Sequence, residues 1–261
     1  MKMTKKKVVV VAAVICLIAI ISMGTLAWFV DTDEVTNKFT VSDSLTSFEV
    51  DVWEQVPDND NDGEPEVIGK GDTSENEYTY EDVLPGKPYD KIVYVQNTSD
   101  NKLADQYIKV EVTFTNYGIL KKLNATEDYN CTDMLKGGYF SDNANDTNTA
   151  WWYDGTVREN AGGSVTYTFY YKDVLKHVND EGYEYSVPLF NQVVIPESMD
   201  INDADELYRA GGFEINVVAY AIQTANITNS EMSALDNAVS AFAEGGAYEQ
   251  STTAVETTVL P

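Results

Sequence analysis

Ile108, Val110, Val112 and Phe114 alternate with Lys109, Glu111 and Thr113. A period of two puts the four apolar side chains on one face of a strand and the polar ones on the other. A helix of 3.6 residues per turn cannot do this. The period returns along the chain. Val35, Asn37, Phe39 and Val41 share one face, and Thr36, Lys38 and Thr40 the other. In 48–56, Phe48, Val50, Val52 and Val56 read inward, and Glu49, Asp51, Trp53 and Gln55 outward. Val165, Tyr167, Phe169 and Tyr171 form another face, and residues 151–157 are read as their partner strand across a turn at 160–163.

The remaining stretches fit the same scheme. The loop 57–66 is read as the tip of a hairpin closed by a short strand at 66–68, and Tyr78 and Tyr80 mark another extended segment. Leu84-Pro85-Gly86 is a turn. The segment 91–97 is apolar on both faces through Val93 and Val95, as a central strand would be. Residues 116–149 are read as an irregular insertion with a helical turn near 119–123. A strand at 188–196 is bounded by prolines, and 202–208 is a short helix with an Asn or Asp cap. The last long strand is 213–223. A helix at 231–243, capped by Asn229 or Ser230, presents Leu235, Val239 and Phe242 on one side. Residues 248–261 are read as a flexible tail. About eight to ten strands, few helices and no long internal repeat argue an all-β antiparallel sandwich.

The beginning of the chain carries a different signal. Lys2, Lys5, Lys6 and Lys7 precede an unbroken apolar run over 8–21. This is the basic and apolar order of a secretory signal. Thr25 and Ala27 place small residues at the −3 and −1 positions of a cleavage site. The rival reading is an uncleaved anchor, because 8–30 is long enough to span a bilayer of about 30 Å, with the lysines on the cytoplasmic side. The leader, 1–28, holds four of the 17 basic residues and no acid, which leaves 13 bases against 43 acids beyond it. Such a surface repels nucleic acid and anionic lipid. Of two cysteines, Cys16 lies in the leader, so Cys131 has no intramolecular partner after cleavage.

Gly24-Thr-Leu-Ala-Trp-Phe29, followed by Asp31-Thr-Asp-Glu-Val-Thr-Asn-Lys-Phe-Thr-Val41, resembles the leader and mature start of the TasA/camelysin family. These are secreted proteins of Gram-positive bacteria with a SipW-type signal peptide. Weaker patches of likeness follow: Leu-Pro-Gly-Lys at 84–87, the segment 188–196, and Ala-Tyr-Ala-Ile-Gln at 219–223. The resemblance implies cleavage by an ER-type signal peptidase at Ala27, Trp28 and Phe29, with the mature chain starting at Trp28 or Phe29. It refines the sandwich, over 29–247, to a jelly roll. It implies a structural protein of the biofilm matrix that forms a homopolymeric fibre, with an accessory matrix protein as a further partner. It also implies donor-strand complementation, in which 29–41 pairs with the next subunit through Phe29, Val35, Phe39 and Val41. Membrane contact would occur only through the uncleaved leader.

The chemical motifs point away from an enzyme. A zinc peptidase of the camelysin type needs several ligands, usually two histidines on one helical face. This chain has one histidine, His177. No Gly-x-Ser-x-Gly elbow accompanies it, and nothing favours Cys131 beside it. Paired carboxylates have no specificity in so acidic a chain. The sharpest motif is Asp58, Asp60, Asp62 and Glu64 around Gly63, an alternation that resembles a calcium loop. The twelfth position is Gly69, where calcium wants a bidentate Glu, so a solvated hairpin tip is the competing reading. Trp53, Trp151 and Trp152 offer a carbohydrate platform or, alternatively, ordinary core and cross-strand pairs. The alternatives to a fibre subunit are therefore a monomeric module for carbohydrate or calcium and a secreted metallopeptidase.

Overall fold

The computed structural model describes residues 50–56, 66–68, 78–80, 83–99, 105–123, 128–177, 185–224, 228–243, 249–250 and 257–259. In chain order the strands are β1 (Val50–Val56), β2 (Glu66–Ile68), β3 (Tyr78–Tyr80), β4 (Pro88–Asn97), β5 (Gln106–Phe114), β6 (Leu135–Lys136) and β7 (Phe140–Ser141). They continue with β8 (Trp151–Asn160), β9 (Ser164–Tyr171), β10 (Phe190–Val194), β11 (Ile215–Gln223), β12 (Glu249–Gln250) and β13 (Thr257–Val259). The helices are α1 (Tyr117–Leu120), α2 (Ile201–Arg209) and α3 (Ala234–Ala243), with 3-10 turns at Lys121–Leu123 and Cys131–Met134. No helix among the described residues is long and apolar enough to cross a membrane.

The strands form a five-stranded sheet, β2-β1-β4-β10-β6, and a six-stranded sheet, β12-β11-β5-β9-β8-β7. All pairs in both sheets are antiparallel except β7 with β8, and β13 pairs with β3 in parallel apart from them. The chain passes between the two sheets from β4 to β5, from β5 to β6, from β6 to β7, from β9 to β10 and from β10 to β11. This is the all-β sandwich expected from the alternation of the sequence.

The core follows from the alternation. Ile108, Val110, Val112 and Phe114 of β5 are all fully buried. In register, Val110 lies between Ala219 and Phe169, Val112 between Val217 and Tyr167, and Phe114 between Ile215 and Val165. Val50, Val52, Val93 and Val95 meet this layer from the five-stranded sheet. Each such side chain contributes roughly 1.5–3 kcal/mol of burial. The expected central strand, β4, is third of five. The expected hairpin partner at 66–68 pairs with β1.

Gly86 adopts φ +76° in the turn after Pro85, with Lys87 N donating to Leu84 O at 3.2 Å. Gly86 N donates to Ile195 O at 2.8 Å, which fastens the turn beside the end of β10. Asp200 caps α2 with a reciprocal capping box. The α3 expectation is corrected at its start. The helix begins at Ala234, and its cap is Ser233, whose hydroxyl accepts from Asp236 N, rather than Asn229 or Ser230. Buried Asn237 holds 229–233 as a loop instead. It donates to the carbonyls of Asn229 and Ser233 and accepts from Asn229 N. Leu235 and Phe242 are buried as expected, but Ala238, not Val239, is the fully buried residue between them. Ala238 and Phe242 cluster with Tyr107 and Ile222 and cover part of the outer face of the six-stranded sheet.

The insertion 116–149 supplies β6 to one edge and β7 to another, so it borders both sheets. Within 248–261, β12 pairs with β11 and β13 with β3.

Candidate functional site

The hairpin β8–β9 positions an uncovered sheet edge. β9 pairs with β8 along one side. On the other side β7 reaches only Trp151 and Trp152. Among the described residues, no strand pairs with the outer side of β8 from Tyr153 to Asn160. The register shifts between Tyr153 and Val157, where Gly155 takes φ +76° and Thr156 N donates to the Asp154 carboxylate at 2.7 Å. A bulge of this kind bends an edge and shields part of it from other strands. Past the bulge the pairing is regular again: Val157, Arg158, Glu159 and Asn160 oppose Tyr167, Thr166, Val165 and Ser164. Val157, 48% exposed, is the apolar group this edge presents.

A polar lattice anchors that half of β8. Arg158 Nη2 donates to Glu111 Oε2 at 2.8 Å, and Lys109 Nζ donates to Glu111 Oε1 at 3.1 Å. The Tyr220 hydroxyl adds a third bond to Glu111 at 3.3 Å. Asn160 Nδ2 donates to Thr166 Oγ1 at 2.9 Å, and Thr166 pairs with Thr113 at 2.8 Å. Partial burial pushes the Glu111 carboxyl up, but the Lys109 charge and the bonds from Arg158 and Lys109 outweigh it and hold the pKa below its usual value. Desolvation, then the Glu111 charge, pushes the Tyr220 hydroxyl up to about 12.

Inside the sandwich lies an unexpected pair. Glu54 of β1 and Lys91 of β4 form an ion pair with both side chains at 0% exposure. The inward phase of β1 runs Val50, Val52, Glu54, and that of β4 runs Lys91, Val93, Val95, so both charges replace core residues in register. Sequence reading passed over both. The signal that could have found them was a single acid and a single base, each in phase with buried valines.

The three tryptophans do not form one platform. Trp53 lies nearly parallel to Tyr94 on the five-stranded sheet, with Tyr185 set edge-on to both at 6.4 and 5.4 Å. Trp151 is buried between the sheets, where its Nε1 donates to Val187 O at 2.8 Å. Trp152 stacks on Tyr170 of β9 at 5.7 Å.

Nor do the nucleophile candidates converge. Cys131 is buried, its N–H donates to the Tyr167 hydroxyl at 2.9 Å, and burial pushes its thiol up to about 12. His177 N donates to the Asp105 carboxylate at 2.9 Å. Among the described residues, no group of three His, Cys, Asp or Glu side chains is placed to hold a metal ion. The expected cleavage residues Ala27, Trp28 and Phe29, the assembly residues Val35, Phe39 and Val41, and the acidic set Asp58, Asp60, Asp62 and Glu64 lie outside the described residues. No protein-family model, characterised protein or solved structure matches the chain.

Proposed function

We propose that this chain is a secreted structural subunit of an extracellular matrix, and that it polymerises into fibres by strand addition. The segment 29–41 of one subunit pairs with the outer side of β8 in the next, at 157–160. The single observation that supports this reading is the regular length of β8 beyond its bulge, where no strand among the described residues pairs with its outer side. An edge strand offers a row of backbone donors and acceptors, and an added strand gains affinity from those bonds and specificity from alternate side chains. Val35, Phe39 and Val41 share one face of an extended segment, at spacings of four and two. Contact of one subunit's beginning with another's edge is head to tail, which generates an open filament rather than a closed ring. The strongly acidic composition suits a protein that stays soluble until a specific contact forms.

Cleavage of the leader would release the pairing segment, because a tethered segment cannot reach a neighbour. Electron microscopy of the chain starting at Phe29, beside one starting at Ser42, tests the reading. Fibres from the first and monomers from the second are expected. Fibres from both would remove the N-terminal segment from the mechanism, and monomers from both would remove the structural role.

A further inference from the structure

We propose that Lys91 and Glu54 are a site of covalent self-modification, where the two side chains condense to an amide that links β4 to β1 inside the sandwich. The geometry is that of two diagonal positions on adjacent strands. Glu54 is directly opposite Val93, and Lys91 lies two residues away on the same inward face. The two residues are 37 apart in sequence and in contact in space. Both side chains are fully buried. Lys91 Nζ donates to Glu54 Oε2, while Glu54 Oε1 has no hydrogen-bond partner among the described residues.

This is poor support for a permanent ion pair. Two charges taken out of water need good mutual geometry and further hydrogen bonds on the remaining lone pairs and protons. Here one carboxylate oxygen has none among the described residues. Burial pushes the Glu54 carboxyl up and the Lys91 ammonium down, against the pull of each charge on the other. Both shifts favour the neutral acid and the neutral amine, which are the forms that condense. Holding nucleophile and electrophile in contact in a dry site replaces a bimolecular encounter with an intramolecular one.

The step balances without a co-reactant. The Lys91 Nζ lone pair attacks Glu54 Cδ and forms a tetrahedral carbon. A proton passes from the nitrogen to the carboxyl hydroxyl, the carbon–oxygen bond breaks, and one water leaves. Nothing is oxidised or reduced. The product is a neutral amide in place of two buried charges. It closes a loop through two adjacent strands of a chain in which Cys131 has no disulfide partner after the leader, and so constrains the unfolded state as a disulfide would.

Peptide mass spectrometry of the purified full chain, denatured and digested to completion with trypsin, tests the proposal. The expected result is a single branched species that carries Glu54 and Lys91, is one water lighter than the two linear peptides together, and is uncut after Lys91. A Lys91→Met chain should show no such loss in its intact mass. Two linear peptides at full mass, with cleavage after Lys91, would overturn the proposal. The digest of the unaltered chain decides the matter even where the variant fails to fold.

Discussion

Arg158 of β8 reaches across β9 to Glu111 of β5, with its Nη2 at 2.8 Å from Oε2. The half of β8 that has no outer neighbour among the described residues is thereby tied to the middle of its sheet. Because the Arg158 side chain is 55% exposed, the bond itself is modest, and Arg158→Ala should cost about 0.2–1 kcal/mol. Urea unfolding of the two proteins measures that difference.

Glu111 carries a pH signature. Its folded pKa is lowered, since the partners named above outweigh its burial. Its stabilising contribution is therefore complete above the unfolded carboxylate value of about 4.3, and is lost as pH falls through the folded value. Glu111→Gln should be less stable than the unaltered protein near neutrality, and the gap should close on acidification. Thermal melts across that range check the sign, and a gap that widens toward acid would refute it.

The buried pair predicts a larger effect. Glu54→Ala leaves Lys91 alone among Val52, Val93 and the facing sheet. A buried charge left without its partner costs about 3–5 kcal/mol, and loss of the proposed amide between β1 and β4 adds to that. Denaturant midpoints should shift accordingly, while a change at exposed Tyr208 should leave the midpoint almost unmoved.

Much of this architecture was legible in the residues. The faces of β5 and β9 are read directly from their period, because each has one face on the core and one outside. The cap of α2 was legible because Asp200 and Asp203 are local to it. Other features depend on distant groups. Glu54 and Lys91 look like ordinary surface charges until the strands are paired. The start of α3 is set by Asn237 reaching back to Asn229, which no N-cap rule anticipates. β6 and β7 have two residues each, too few to show a period. The uncovered side of β8 depends on strand order, a non-local property.

Gly86 offers a test of the turn beside β10. Its φ is +76°, and a Cβ there would come within 2.7 Å of Glu197 Cγ. Gly86→Ala should destabilise the protein by about 1 kcal/mol or more, since alanine is strained at positive φ. Calorimetry checks this.

Cys131 should resist alkylation in the native protein, because its thiol is pushed up to about 12 and is buried. Iodoacetamide near pH 8, a condition of about neutral protein chemistry for thiols, should label it only after denaturation. Mass spectrometry before and after unfolding distinguishes the two states.

In the proposed fibre, the N-terminal segment of one subunit pairs with β8 of the next. Paired cysteines test it most directly: Phe39→Cys in one population and Val157→Cys in another, mixed, allowed to assemble and oxidised. Mixed dimers joined by a reducible link between positions 39 and 157, absent from either population alone, are expected. Fibres that assemble normally while no such link forms, with cysteines placed along 35–41 and 157–160, would contradict it.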